Sequence, residues 1–379
     1  MNLGFMKKNE RKGGVFYLSF IRRQGDIFMR KKGQIAAVFI LVCFIGIISY
    51  RHSTGKDLEQ YEAAFFDVFD TQTQIIGYAA SKEEFSSQIA QIKEKFQYYN
   101  DLYDIYHDYD DLNNIKTIND NAGVKPVKVD EEIINLLKLG IDMEKNTDGK
   151  MNIAMGSVLT IWHDYREAGE DNPEEAVLPP MDELEEASRH TDINQIVIDE
   201  EASTVYLPDP DMSIDVGSIG KGYAVQKVAE YAKNELGMDH LLFSVGGNVC
   251  AVGGHPDGTE WSIGIQNPDV DSSEAYVKKV KVKDISVVTS GNYQRYYMVD
   301  GKRYCHIING NTLMPADYFS SVTIITKESG MADAYSTAVF NMPLEEGMEF
   351  VNQQPQLEAM WILEDGSMQY SDGFSQYVN

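Results

Sequence analysis

Ser213-Ile-Asp-Val-Gly-Ser-Ile-Gly-Lys-Gly-Tyr-Ala-Val-Gln-Lys227 is the stretch on which the reading of this chain turns. It reads as a short strand, a glycine turn, then a helix over about Tyr223 to Leu236. Gly217, Gly220 and Gly222 let the backbone turn sharply and come close to a ligand. The helix would aim its free N–H groups and positive dipole end at that turn, a seat for a phosphate. Lys221 adds a mobile positive charge, and Asp215 adds an acceptor. Plain connection chemistry between strand and helix is the competing reading. A Walker A loop is excluded, because Asp215 stands where its first glycine belongs and Gly222 follows the lysine. A dinucleotide fingerprint is excluded too, because the order is G-x-x-G-x-G rather than G-x-G-x-x-G.

With 379 residues the chain can bury a full core, as one large domain or two intimate lobes. Its formal charge is −26, and basic residues cluster only at the N-terminal end. Nucleic acid is therefore excluded as a partner, since backbone binding needs grouped Lys and Arg. Cys43, Cys250 and Cys305 contain no C-x-x-C pair, which argues against a zinc or thiol-redox motif. A Cys250–Cys305 bond is left open.

Outward from the central stretch, the N-terminal end is of another kind. Residues 1–32 form a basic tail (Lys7, Lys8, Arg11, Lys12, Arg22, Arg23, Arg30, Lys31, Lys32), with Met29 as an alternative start. Residues 33–50 run without a charge, and 18 helical residues span about 27 Å, close to the hydrocarbon thickness. The basic flank keeps that end in the cytoplasm and places the bulk of the chain outside the cell membrane. A retained single-pass anchor is the leading reading. A cleaved signal peptide and a lipoprotein through Cys43 are the alternatives. Residues 51–60 read as a polar tether, and 61–379 as the globular domain.

Within that domain Phe65–Ala79 reads as strands, and Lys82–Tyr99 and Val129–Thr147 as amphipathic helices. Tyr103–Asp111 reads as an acidic loop. Met151–Trp162 is apolar, with Gly156 at a close approach. Residues 166–185 read as an acidic surface excursion, and Gln195–Asp199 with Thr204–Leu207 as a hairpin. Leu241–Gly254 reads as one apolar strand interrupted at Gly246-Gly247-Asn248, which marks a bulge or a ligand against the backbone. Trp261–Gln266 and Ser321–Thr326 read as strands, Val287–Tyr297 as strand, turn, strand, Arg303–Asn309 as a strand ending in a loop, Asp300-Gly301 as a tight turn, and Ala332–Phe340 as the opening of a helix.

Asp333 and Thr337 share a helix face, and a carboxylate plus a hydroxyl one turn apart suits Mg²⁺. A helix cap at Asp333 is the competing reading. His306 lies in an apolar strand, either as a satisfied core residue or as a general base.

Taken in order, Met155-Gly156…Leu159…Trp162, Asp215-Val-Gly-Ser-Ile-Gly-Lys-Gly-Tyr-Ala, Ser244-Val-Gly-Gly-Asn, Trp261-Ser-Ile-Gly-Ile-Gln-Asn-Pro, Thr289-Ser-Gly-Asn-Tyr, His306-Ile-Ile-Asn and Ala332-Asp-Ala-Tyr-Ser-Thr-Ala resemble the ApbE family. Those are FAD:protein FMN transferases, which move FMN from FAD onto a Thr or Ser of an acceptor protein. The resemblance spans about residues 61–370. It implies an α+β, two-lobed, T-fold-related domain with mixed or antiparallel sheets. It further implies FAD contacts at Thr71, Tyr106, Ala154, Met155, Gly156, Asp215, Lys221, His306 and Ile307. The implied Mg²⁺ ligands are the Ser218 carbonyl, Asp333 and Thr337. His306 and Lys221 are the implied catalytic residues, His306 as the base that deprotonates the acceptor hydroxyl.

Two departures stand out. Ser157 follows Gly156 where the family has Pro, and Asn309-Gly310 follows His306-Ile-Ile where it has Asp-Pro. The alternatives to transfer are an FAD pyrophosphatase releasing FMN and AMP, and a non-catalytic extracellular flavin-binding protein.

Overall fold

The computed structural model describes residues 58–378. The expected membrane segment at 33–50, the alternative start at Met29 and the lipidation candidate Cys43 lie outside the described residues. Among those described, no helix is long and apolar enough to cross a membrane. The polar tether ends sooner than expected, since residues 59–60 already belong to a strand.

Eight strands make one sheet: β1 (Glu59–Val68), β2 (Thr71–Ala79), β3 (Leu241–Val245), β4 (Asn248–Val252), β5 (Ser286–Gly291), β6 (Ser321–Thr326), β7 (Glu358–Ile362) and β8 (Met368–Tyr370). Their spatial order is the chain order, and every neighbouring pair is antiparallel. The α+β class holds, but the mixed pairing allowed for from the sequence is not found among the described residues. Each connection returns to the adjacent edge, so no parallel crossover is needed.

Side chains alternate across this sheet with period two. Ile75, Phe243, Val288, Ile324 and Trp361 face the helical side. Their neighbours Ile76, Leu242, Val287, Ile325 and Met360 face the opposite side. There the hairpin Trp261–Gln266/Tyr276–Val282 and Phe374 cover them. A sheet covered on both faces reads as continuous apolar runs, which is why β3 shows no alternation in sequence.

The helical side is built from α1 (Lys82–Tyr103), α2 (Glu131–Asn146), α3 (Gly156–Asp171), α4 (Gly220–Asn234), α5 (Ser329–Phe340) and α6 (Leu344–Gln353). Ser81 caps α1 by accepting the Glu84 N–H, and Asp130 caps α2 by accepting the Glu132 N–H. A separate apolar cluster joins α3 (Met155, Val158, Trp162) to Tyr297, Val299, Ile308 and Leu313.

Three local expectations change. Ser213–Val216 is not a strand. It pairs instead with the residues leading into α3, through Gly156 N–H to Ser213 O at 3.1 Å and Asp215 N–H to Ile153 O at 2.9 Å. The helix after it starts at Gly220, not Tyr223. Gly246-Gly247 does not interrupt one strand but turns the β3–β4 hairpin, with φ of 49° and 95°. Both angles lie in the left-handed region that a two-residue hairpin turn requires. Cys250 and Cys305 are both free, buried thiols, so the bond left open from the sequence is not formed.

Candidate active site

Helix α5 is enclosed on nearly every side. Ala332, Ala334, Ala338, Val339 and Phe340 have no exposed surface, and Asp333 itself is 4% exposed. A carboxylate in that setting needs partners. Its Oδ2 accepts the Gly222 N–H at 2.7 Å. Lys221 Nζ lies 3.9 Å from its Oδ1, and the Asn248 side chain is near enough to help hold the carboxyl pKa down. Burial pushes the Asp333 pKa up, while Lys221, the Gly222 N–H and Asn248 work against that rise.

This arrangement corrects the picture of a helix end with free N–H groups. Gly220 N–H is bonded to Val216 O at 2.7 Å and Tyr223 N–H to Ile219 O at 3.0 Å. Gly222 N–H is taken by Asp333. No side chain caps α4 locally, so the carboxylate of α5 caps it from across the core. Asp333 is thus a cap, but of a neighbouring helix rather than its own. The close crossing depends on Gly222, where a Cβ would lie 2.3 Å from Ser329 O. One turn further along α5, Thr337 is half-buried. Ser336 turns away, donating to Asp333 O at 2.8 Å and meeting Ser290 Oγ at 2.8 Å.

The glycine turn carries Asp215, whose Oδ1 accepts the Gly217 N–H at 2.7 Å. Ser218 is half-buried in the same turn. Burial pushes the Asp215 carboxyl up, against the Gly217 N–H and the positive fields of His163, Arg295 and Arg166.

His306 completes the site. Its Nδ1 is 3.2 Å from the Arg295 carbonyl oxygen, and its backbone N–H donates to that same oxygen at 3.1 Å. A carbonyl only accepts, so Nδ1 carries the ring proton and Nε2 keeps its lone pair. Burial first, then Arg295, Arg166 and Lys221, push the His306 pKa down to about 3. The ring is therefore neutral and held in one tautomer, among three cations. At the edge of this group the Tyr106 ring lies against His163, 5.2 Å between centroids. Tyr106 feels Asp215, Arg166 and Arg295 as well.

A sequence profile of the ApbE family matches residues 69–361. The chain belongs to the ApbE family. The FAD:protein FMN transferase of Treponema pallidum is 31% identical over 70% of this chain and 74% of its own length. That of Escherichia coli K12 is 28% identical over 70% of this chain and 75% of its own. Among solved structures, the ApbE protein of Thermotoga maritima superposes with a TM-score of 0.74 at 29% identity, covering 85% of this chain and all of that one. The flavin transferase ApbE of Vibrio cholerae gives a TM-score of 0.70 at 24% identity, covering 85% of this chain and all of that one, a likeness of fold.

In this ApbE-family chain Asp215, Lys221, Asp333 and His306 fall into one electrostatic neighbourhood, with Tyr106 at its rim. Ala154, Met155 and Gly156 adjoin it through the backbone pairing with Ser213 and Asp215. Met155 also lies against Gly310 in the loop after His306, which links it to that segment. Thr71 packs over Gly246 and so borders the turn that presents Asn248. Ile307 is 6% exposed and its carbonyl accepts the Ala316 N–H, so it serves as a support for His306. The sequence reading missed Asn248, Arg166, Arg295 and His163. Asn248 and Arg295 stand in or beside family motifs, and a question about what partners Asp333 and His306 would have flagged them. Arg166 and His163 lie on α3 at helical spacing and carried no such signal.

Proposed function

We propose that this protein transfers FMN from FAD to a Thr or Ser hydroxyl of an acceptor protein and releases AMP, in a reaction that depends on Mg²⁺. The observation that carries the reading is His306: neutral, tautomer-locked by the Arg295 carbonyl, and set among Arg295, Arg166 and Lys221. Such a base beside an anion-attracting group suits attack of a hydroxyl on a phosphate ester. The names of the relatives point to the same activity.

The donors present fit a divalent cation. Asp333 is a buried carboxylate, Thr337 offers a hydroxyl one helical turn on, and the Ser218 carbonyl belongs to the facing turn. These are hard oxygens of the kind Mg²⁺ takes. Bound there, the ion would neutralise charge building on the pyrophosphate. The rest of the work falls to the chain. Lys221, Arg295 and Arg166 attract and hold the pyrophosphate. Tyr106 and His163 offer flat faces at the rim. Nε2 of His306 takes the proton of the acceptor hydroxyl as its oxygen bonds to the FMN-side phosphorus, and the bond to the AMP oxygen breaks. In the free protein His306 is a weak base with its pKa near 3. An anionic substrate among the same three cations offsets their field and raises its basicity.

We place the domain outside the cell, held by the 33–50 segment, with an exported flavoprotein as acceptor. The test is direct. The soluble domain is incubated with FAD, Mg²⁺ and candidate acceptors, and acceptor mass is followed. Gain of FMN mass that disappears in His306→Ala supports the reading. Intact FAD binding with release of FMN and AMP and no acceptor gain would replace it with the pyrophosphatase. Protease protection of the domain in sealed cells would refute the placement.

A further inference from the structure

We propose that Asn248 is the positioning residue of the cation site: its amide holds the Asp333 carboxylate in place, and its Oδ1 serves the site as a further oxygen. The inference rests on the Mg²⁺ reading above and goes beyond it. Asn248 opens β4 directly after the Gly246-Gly247 turn and is 1% exposed. It is fixed on both sides, opposite Val245 in one ladder and Val288 in the other. Thr71 packs against the turn that precedes it. The side chain therefore has little room to move.

Its two ends do different things. The Asn248 side chain works to hold the Asp333 pKa down, and since a carboxylate accepts, the amide nitrogen is the end that would face it. That leaves Oδ1, which is buried and has no protein partner among the described residues. Burying an unmatched amide oxygen costs about 1–3 kcal/mol. If Asn248 merely closed the hairpin, its Oδ1 would accept an N–H of the turn. It does not. What lies beside it is Asp333, already braced by the Gly222 N–H at 2.7 Å. A donor from α4 thus fixes the carboxylate, the Asn248 amide of β4 stands as a second, and one hard oxygen is left unmatched. Carboxylates that bind metals are held by such outer partners, whose loss weakens binding about 10–100-fold.

The test measures Mn²⁺ binding, by loss of the free-ion EPR signal, in the whole soluble domain with and without FAD. Asn248→Ala, Asp333→Ala and the double variant are compared with the wild type. The expected result is at least about tenfold weaker Mn²⁺ binding in Asn248→Ala, with metal-free FAD affinity unchanged. In the Asp333→Ala background the same substitution should cost less than it does in the wild type, because part of what Asn248 does goes through Asp333. Asn248→Ser, one bond shorter and still polar, should behave as the alanine variant and covers the case in which alanine fails to fold. Wild-type Mn²⁺ affinity in a folded Asn248 variant overturns the inference. So does an additive loss in the double variant, which would mark a merely structural role. If Asp333→Ala binds Mn²⁺ as the wild type does, the cation site itself falls, and this inference with it.

Discussion

Substituting Gly222 tests the crossing on which the site is built. A Cβ at this position would lie 2.3 Å from Ser329 O and 2.5 Å from Asp333 Cβ. An ordinary contact needs more than 3 Å, and a carbonyl in the first turn of α5 cannot rotate away. The two helices must therefore part by about 1 Å. Overpacking of this kind costs about 1–3 kcal/mol. The same movement stretches the 2.7 Å bond from Gly222 N–H to Asp333 beyond hydrogen-bond range. Leaving that buried carboxylate short of a donor adds about 1–3 kcal/mol. Gly222→Ala should thus lose about 2–6 kcal/mol and lower Tm by roughly 3–9 °C. Gly220, two residues earlier in the same turn, is the control. Its added Cβ would meet nothing closer than Val216 Cγ2 at 3.4 Å. Gly220→Ala should be neutral or stabilise by up to about 1 kcal/mol, from helix propensity alone. Thermal melting of both variants, with Mn²⁺ binding as a second readout, checks the contrast. Equal melting temperatures for the two would refute the claim that α4 and α5 touch through Gly222.

Other outcomes follow from the same geometry. Arg295→Gln removes the strongest cation acting on His306 while keeping the carbonyl that orders its ring. The ring pKa should rise from about 3 towards 6.5, by about one unit or more, readable by NMR titration. In the wild type, the unfolded chain protonates this ring below about pH 6.5 and the folded chain does not until about pH 3. Stability is therefore lost as pH falls through that window, and Arg295→Gln should flatten the loss, seen as Tm against pH. Reductant should leave Tm unchanged, since Cys250 and Cys305 are free thiols, each pushed up to about pKa 11 by burial. His163→Ala should weaken FAD binding by less than tenfold, by fluorescence titration, because it removes one ring face and leaves Lys221 and Arg295 in place.

Much of the fold could be read where local chemistry decides it. Lys82–Tyr99 and Val129–Thr147 have one apolar stripe each, and both are helices within a few residues of the expected ends. Asp300-Gly301 forms a hairpin turn because both residues tolerate positive φ, observed at 51° and 79°. Leu241–Gly254 misled, because a run buried on both faces of a sheet loses its alternation and hides its turn. Ser213–Val216 misled for another reason. Its β-branched residues suggest a strand, but its partner is the non-strand run 153–156, chosen by the close approach at Gly156. At the site, residue types were legible and their partnerships were not. Asp333 could be recognised as a carboxylate on a helix, but not as the cap of another helix 111 positions away in sequence. Arg166 and Arg295 reach His306 from different elements, a proximity that only the tertiary fold creates.

The charge distribution ties these findings together. The chain carries a formal charge of −26, yet Lys221, Arg166 and Arg295 converge on a single imidazole. Three cations around a neutral His are mutually unfavourable, and after burial, the larger cause, they depress the His306 pKa. Nearby carboxylates offset it only in part, because Asp215 and Asp333 are each engaged by backbone N–H groups and pushed up by burial. Two of the three already have acidic partners, Lys221 with Asp333 at 3.9 Å and Arg166 with Glu170 at 3.7 Å, and the field at His306 is positive even so. Leaving the excess positive charge in place makes sense where the missing negative charge arrives with the substrate. On the proposed reading a bound pyrophosphate supplies it, and in doing so would raise the basicity of His306 Nε2. On that reading, substrate binding and activation of His306 would be the same electrostatic event, with the acceptor hydroxyl deprotonated where there is a phosphorus for it to attack.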